Sequence, residues 1–203
     1  MFKAANQSET RAHLLRAALK HFAHSGYAAA SVQQIVDEAS VSKPALYYHF
    51  KDKAGLFQAL VDEAHDERYR LMQAATTGTA DVKKQLVEIL AGLFDYTQKN
   101  RELMRIAFAT AFAAPGEVPE GLLCSEKCER NFEFIHTLMK KAVAAGLLNR
   151  QFDSLELAFG FYGLLNSYLV SHLLMPDSPL NRQTAVRIVK LFLAGAAAKK
   201  RAA

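Results

Sequence analysis

The stretch SVQQIVDEASVSKPALYYHFKDKAGL, residues 31–56, decides the fold of the N-terminal part of the chain. Ser31 and Gln34 have the spacing of a capping box, which marks the start of a helix. Apolar residues follow at helical spacing up to a turn at residues 40–41. This pattern predicts a short helix that ends in a tight turn.

A second short helix follows the turn, and its two faces differ. Ser42 can cap it, and Pro44 falls in its first turn, where no backbone N–H is required. Leu46 and Phe50 are four residues apart, so they predict the inward face, and Asp52 can cap the next helix. Two short helices joined in this way predict a helix-turn-helix, whose second helix enters the DNA major groove.

Two runs in this region resemble a known family. VSKPALYYHFKDKAGL, residues 41–56, closely resembles the signature of TetR-type transcriptional repressors, and LLRAALKHFAHSGY, residues 14–27, resembles the family's first helix. The resemblance covers roughly the first 56 residues and fades after them. Two residues depart from the pattern: Ser40 stands where Gly is usual in the turn, and Pro44 where a small residue is usual.

The resemblance implies a homodimer that binds a palindromic operator in double-stranded DNA and responds to a small-molecule effector. It also implies that Tyr47 contacts a phosphate. Lys53 stands at the start of a helix, where an anion is favoured, while Lys43 can donate to guanine and Ala45 can meet a thymine methyl. The expected DNA-binding residues are Ser31, Ser42, Lys43, Pro44, Ala45, Tyr47, Tyr48, His49 and Lys53.

The charge of the chain is uneven. The net charge is +5 over 203 residues, and residues 1–53 carry seven Lys or Arg against four acidic residues. Such an excess is often only a solvated surface, but together with the motif it predicts a surface that faces phosphates. Apolar residues make up 51% of the chain, as in an ordinary globular protein.

The whole chain shows helical periodicity, with Gly and Pro at the breaks, such as Gly26 just past the end of the first helix, and predicts an all-α fold of about nine helices. A three-helix DNA-binding domain is expected in residues 1–52 and an effector-binding and dimerisation domain in residues 53–203. The first residues lack the apolar segment of a secretory signal, and there are only two cysteines. The sequence therefore predicts a cytoplasmic protein.

Residues 157–175 contain no Lys, Arg, Asp or Glu, so a membrane span has to be weighed. Polar residues within the stretch and the lack of basic flanks favour a buried helix instead. The resemblance implies dimerisation through the last two long helices. In these helices the pattern places Ile188, Leu191 and Phe192 inward, and the expected interface residues are Leu164, Tyr168, His172, Ile188 and Phe192.

The middle helices are rich in aromatic and flexible apolar side chains, which either fill the core or line a ligand pocket. Few charges fall among them, so the predicted effector is mainly apolar, aromatic or lipid-like. The candidate pocket residues are Phe94, Met104, Phe108, Phe112, Phe132, His136, Met139, Tyr162 and Asn166.

No catalytic constellation, cofactor motif or metal signature occurs in the sequence. Cys124 and Cys128 are four apart, which allows a redox switch but is more typical of inert small apolar residues. The predicted function is that of a transcriptional regulator, most simply a repressor. The alternatives are a protein of the same fold that acts chiefly through protein partners, as a coactivator or division-type regulator, and an enzyme.

Overall fold

The structure, a computed structural model, describes residues 2–122 and 125–196. Within these ranges the chain forms nine α-helices and no strand, which confirms the all-α prediction. A 3-10 helix, Thr110–Phe112, directly follows the sixth α-helix. The α-helices are α1 Phe2–Ala29, α2 Val32–Glu38, α3 Lys43–Phe50, α4 Lys53–Thr76, α5 Val82–Lys99, α6 Arg101–Ala109, α7 Ser125–Ala144, α8 Ser154–Leu174 and α9 Arg182–Ala196.

The chain divides into two compact units, which do not follow the expected division after residue 52. Unit 1 contains α1, α2, α3, α6 and α4 up to His65, whereas unit 2 contains α4 from Asp66 together with α5, α7, α8 and α9. The difference arises because α6 packs against α1. A contact between segments so far apart in sequence leaves no trace in local periodicity.

Unit 1 is built around the apolar faces of its short helices. Leu14, Ile35, Leu46 and Leu56, one from each of the first four helices, are fully buried. α1 is regular up to Gly26, whose φ of 74° interrupts the helix at the residue predicted to end it. Because an L-residue at this φ is strained, glycine suits the position.

Side-chain caps fix where the short helices begin. The Ser31 hydroxyl accepts from the Gln33 amide at 3.2 Å, one residue before the Gln34 of the predicted capping box. The Ser42 hydroxyl accepts from the Ala45 amide at 3.4 Å. Asp52 accepts from the amide of Gly55 at 2.7 Å, so the predicted caps of α3 and α4 are confirmed.

In unit 2, α7 packs on α8 and α5 packs on α9. Phe94 of α5 and Phe161 of α8 are fully buried in its core. The Asp66 carboxylate of α4 accepts from Lys127 at 2.6 Å and from Arg130 at 2.9 Å, both on α7. Burial raises the pKa of Asp66, but these two cations outweigh it, and the net pKa lies below its usual value.

The apolar helix α8 has one covered and one open face. Leu157, Phe161, Leu165 and Leu169 are buried, whereas Phe159 is 62% exposed. By length and composition, Ser154–Leu174 is long and apolar enough to cross a membrane. Within an 18-residue apolar stretch of this helix, 39% is buried inside the protein. Core helices of soluble proteins meet the same criterion, so the feature is weak support for a membrane span.

The turn between α2 and α3 stores backbone strain at Ser40, where the family pattern usually has glycine. Ser40 has a φ of 53°, and its side chain is exposed. A left-handed conformation costs an L-residue roughly 1–2 kcal/mol. Glycine avoids this strain, but its greater conformational freedom in the unfolded chain offsets part of the gain in stability.

We therefore expect Ser40→Gly to raise the free energy of unfolding by about 0.5–1 kcal/mol. Urea denaturation followed by circular dichroism measures this change. The matched variant Ser42→Gly removes a cap at a residue whose φ is −84° and should lower stability slightly. A lower denaturation midpoint for Ser40→Gly than for the wild type would show that the turn is not strained.

Candidate nucleic-acid interface

The second helix of the helix-turn-helix, α3, is anchored on one side and open on the other. Leu46 and Phe50 are buried, as predicted, and hold the helix against unit 1. Tyr47 is 49% exposed and Tyr48 is 70% exposed. Lys43 and Pro44 are also exposed, while Ala45 and His49 are half-buried. The structure thus brings the predicted groove-facing residues together on one surface.

The two serines among the predicted DNA-binding residues, Ser31 and Ser42, each cap a helix and can still donate a hydrogen bond to a ligand. Each hydroxyl oxygen accepts a backbone N–H at the start of a helix, Ser31 in α2 and Ser42 in α3. A serine hydroxyl that accepts a hydrogen bond still carries its own hydrogen to donate. Both side chains can therefore cap their helix and donate to an oxygen of a ligand.

Lys53 has a structural role besides the predicted phosphate contact. Its ammonium donates to the backbone carbonyls of Tyr27 at 2.9 Å, Ala28 at 3.3 Å and Ala30 at 3.1 Å. It also lies 4.4 Å from the centre of the Tyr27 ring. Lys53 thus joins the start of α4 to the end of α1, and its contact with a phosphate stays a prediction.

Tyr27 completes this junction as a neutral aromatic surface. Burial, and secondarily the nearby Asp52 carboxylate, raises the pKa of the Tyr27 phenol. The phenol therefore keeps its proton at neutral pH, and its ring packs against Phe22 and Phe57, with centroids 6.0 and 5.2 Å away. Cations are attracted to such a ring face.

Two residues of α1 adjoin the same surface, and sequence reasoning did not find them. The Gln7 side-chain amide donates to the Tyr48 hydroxyl at 3.3 Å. The Arg11 guanidinium lies 5.2 Å from the centre of the Phe50 ring. The two residues are four apart, so they share one face of α1, a periodicity that would have been visible in the sequence. The first turns of α1 thereby extend the surface that α3 presents.

The exposed charges near α3 are mostly positive. Arg11, Lys43 and Lys51 are exposed on α1, α3 and the residue that ends α3. Lys20 forms an ion pair with Glu38 at 2.7 Å, which neutralises that charge. The exposed cations that remain next to α3 suit a polyanionic ligand.

Comparison with known proteins agrees with this arrangement. The sequence profile described as "Bacterial regulatory proteins, tetR family" matches residues 14–60, from α1 through the helix-turn-helix into α4. The chain is 31% identical over 112 residues to the HTH-type transcriptional activator FasR of Mycolicibacterium smegmatis. Residues 14–60 therefore form a DNA-binding domain of the TetR type.

Other relatives extend the similarity beyond the N-terminal part of the chain. The match to FasR covers 55% of this chain and only about half, 51%, of FasR. The HTH-type transcriptional regulator AcrR of Shigella flexneri is 27% identical over 178 residues, which cover 84% of this chain and 81% of AcrR. The similarity to AcrR therefore includes most of unit 2.

Solved structures support the TetR fold over nearly the whole chain. The fatty acid degradation regulator FadR from Bacillus halodurans aligns with a TM-score of 0.76 at 17% identity, covering 90% of this chain and 97% of FadR. A TetR family transcription regulator from Marinobacter aquaeolei VT8 aligns with a TM-score of 0.75 at 17% identity, covering 98% of this chain and 100% of the Marinobacter chain. At these identities the similarity concerns the fold alone.

The nine candidate effector residues fall into both units. In unit 1, Met104 is buried, Phe108 is half-buried and Phe112 is 92% exposed, because α6 ends in the 3-10 turn. Phe94 and Met139 are fully buried in unit 2. The structure therefore assigns these residues to separate cores and, for Phe112, to solvent.

The remaining four candidates lie in unit 2, on α7 and α8. The Phe132 ring is 5.6 Å from that of Tyr162. Tyr162 and Asn166 are within 3.5 and 3.0 Å of the Arg68 guanidinium, which donates to both. His136 lies 3.0 Å from Glu133 and 3.2 Å from Ser154. These four residues thus form a partly polar cluster around two aromatic rings.

The five candidate dimer residues are mostly directed towards the protein's own core. His172, Ile188 and Phe192 are buried within the chain, while Leu164 and Tyr168 are half-buried. Leu191, expected to face inward, is 62% exposed. This expectation was wrong because Ile188, Val189 and Phe192 already fill the inner face of α9. Cys124, the partner considered for Cys128, lies outside the described residues.

The contact of Lys53 with α1 predicts that replacing this lysine destabilises the protein even when no ligand is bound. We expect Lys53→Met to lower the free energy of unfolding by about 1–3 kcal/mol, because the part-buried carbonyls of Tyr27 and Ala30 and the exposed carbonyl of Ala28 lose a charged donor. Denaturant unfolding of the protein alone measures the loss. Lys43→Met, at an exposed lysine on α3, is the matched control and should leave stability within about 0.5 kcal/mol. Equal stability of the two variants would rule out the junction.

Proposed function

We propose that this protein is a cytoplasmic transcriptional regulator that binds a palindromic DNA operator as a homodimer. The observation that carries the proposal is the geometry of α3, which is held by Leu46 and Phe50 and presents Lys43, Tyr47 and Tyr48 outward. A helix presented in this way fits the major groove, where side chains meet base edges. The match of residues 14–60 to the TetR family supports the same conclusion.

The side chains of α3 divide into two chemical roles. Lys43 carries an ammonium that can donate to guanine O6 or N7, and Ala45 offers a methyl group for thymine. Tyr47 has a hydroxyl suited to a phosphate oxygen, and the Arg11 guanidinium next to the helix can pair with another phosphate. Phosphate contacts position the protein, whereas base contacts choose the sequence.

The open faces of α8 and α9 support the homodimer. Phe159 and Leu174 on α8 and Val186 and Leu191 on α9 are exposed apolar residues on the outer faces of two long helices. Exposed apolar patches of this kind mark protein interaction sites. We propose that the outer faces pair with those of a second copy, which places two recognition helices about 34–36 Å apart.

We propose that the regulator is a repressor released by a small, mainly apolar ligand. A dimer seated on an operator can block transcription without another protein, although the relative FasR is named an activator. The structural neighbour FadR is named a fatty acid degradation regulator, which fits a lipid-like effector. The ligand acts by binding unequally to two conformations, of which only one spaces the recognition helices for the operator.

The roles on α3 predict different effects of two substitutions on DNA binding. Tyr47→Phe removes a phosphate contact and should weaken binding to all duplexes by a similar factor. Lys43→Ala removes a base contact and should change the preferred bases, with a cost of about 1–3 kcal/mol at the guanine that Lys43 reads. Mobility-shift assays with a series of duplexes at fixed salt concentration measure both effects.

The control for this experiment is Lys190→Ala, at an exposed lysine on α9 far along the chain from the helix-turn-helix. It should leave both affinity and sequence preference unchanged if the dimer remains intact. If Tyr47→Phe and Lys43→Ala bind every duplex as the wild type does, α3 is not the reading helix.

The proposed homodimer should dissociate, and its mass in solution should halve, when a charged residue is placed on the outer face of α8 or α9. Phe159→Asp or Leu191→Asp would bury an unpaired charge between subunits, which costs several kcal/mol, and should give a monomer. Phe112→Asp replaces a phenylalanine of unit 1 that is more exposed than Phe159 and should leave the dimer intact. Sedimentation velocity at micromolar concentration measures the mass. A monomeric wild type would refute the proposed assembly.

A further inference from the structure

Unit 2 contains a cavity that none of the nine candidate effector residues lines. Its volume is about 340 Å³, it is partly open to solvent, and its walls are the end of α4, the start of α5, the last three turns of α7 and the residues that follow α7. This volume lies at the lower end of the range of ligand pockets, roughly 300–1,000 Å³. The cavity therefore suits a small ligand.

The wall of the cavity is mainly apolar. Its apolar side chains come from the α4–α5 turn, α5, α7 and the segment after α7, and they are Ala80, Val82, Phe134, Leu138, Ala142, Ala145 and Leu147. The rim is held in place by Gln85, whose side-chain amide donates to the carbonyls of Thr76 at 3.3 Å and Thr79 at 2.7 Å. Such a wall takes the hydrocarbon part of a ligand.

The charge at the cavity is positive. Lys141 is the charged residue in the lining, and it is exposed. Two acids stand next to lining residues in the sequence, and both have partners. Asp81 caps α5 by accepting from the Lys84 amide at 3.2 Å, and Glu133 accepts from Thr137 at 3.4 Å and from Lys140 at 3.3 Å. An apolar wall with one lysine in its lining fits a ligand with an apolar body and one negative charge.

We propose that this cavity binds a small amphipathic monoanion, such as a medium-chain or aromatic carboxylate, and that it is the effector site of the regulator. The assignment as effector site rests on the proposed function. The apolar part of the ligand packs against Phe134, Leu138 and Ala142, and its carboxylate meets the Lys141 ammonium. This occupant keeps the mainly apolar character expected from the sequence and adds one negative charge to it.

The position of the cavity gives the ligand a means to act. Thr76, which lines it, is the last residue of α4, and α4 is one uninterrupted helix from Lys53. An α-helix transmits a displacement of one end along its length, since its backbone hydrogen bonds hold it rigid. A ligand that displaces Thr76 therefore biases the helix that Lys53 fixes to α1.

The test uses decanoate as the probe and decanol as its uncharged counterpart. Isothermal titration calorimetry on the full chain, without DNA and below the micellar concentration of the probe, should show saturable binding of decanoate and weaker binding of decanol. Lys141→Gln should weaken decanoate binding about tenfold, as expected for the loss of one charged hydrogen bond. Ala145→Trp places an indole at the cavity and should also weaken it at least tenfold.

Lys140→Gln is the matched control, because Lys140 is the next residue on α7, is exposed, and pairs with Glu133 at 3.3 Å instead of lining the cavity. It should bind decanoate as the wild type does. The proposal is overturned if the wild type does not bind decanoate, if decanol binds equally well, or if Lys141→Gln and Ala145→Trp both bind decanoate unchanged.

Operator release is measured separately on the same proteins. Decanoate should release the wild type from its operator, and Lys141→Gln should need about ten times more decanoate to do so. If decanoate binds in the cavity but does not release the operator, the effector assignment is wrong. If the protein binds no operator at all, the proposed function fails, while the calorimetry still decides whether the cavity is a binding site.

Discussion

A lysine ammonium, beside the packing of Phe57 on Tyr27, joins the first and fourth helices of this protein. Lys53 donates to three carbonyls at the end of α1, where Gly26 interrupts the helix and leaves backbone acceptors that α1 itself cannot satisfy. Buried carbonyls without a donor are costly, so the junction fixes the start of α4 against α1. Only two residues link Phe50 to Lys53, so the junction also constrains the end of α3. The position of α3 therefore depends on this contact as well as on the burial of Leu46 and Phe50.

The junction also relates the two functions proposed for the chain. α4 begins at the Lys53 contact in unit 1 and ends at Thr76 beside the cavity of unit 2. One continuous helix thus carries both the residue that positions the helix-turn-helix and the residue that would sense a ligand. Regulation then requires only that ligand binding favour one of two positions of α4.

The sequence predicted the local features of this fold correctly because neighbouring residues determine them. The caps at Ser42 and Asp52, the interruption at Gly26 and the inward positions of Leu46 and Phe50 depend on residues within a few positions. The same periodicity predicts which side chains of α3 are exposed. That these side chains contact DNA was expected from the family resemblance alone, because helical periodicity carries no information about a ligand.

Features that depend on distant segments could not be predicted in the same way. The carbonyl partners of Lys53 lie 23 to 26 residues earlier in the chain, so the sequence did not predict this contact. A helix as uniformly apolar as α8 has no periodicity to show which face is covered, and only the packing of α7 and α5 reveals that Phe159 is open. The packing of α6 on α1 likewise moved α6 into unit 1.

The most direct test of the central claim is selection of duplexes from a random-sequence pool by the full chain at physiological salt, followed by sequencing. The proposed arrangement, two copies each with α3 in a major groove, predicts enrichment of an inverted repeat whose half-sites are centred about one helical turn, 34–36 Å, apart. Enrichment of no common sequence, or of a single half-site without its inverted copy, would contradict the claim that this chain reads a palindromic operator as a dimer.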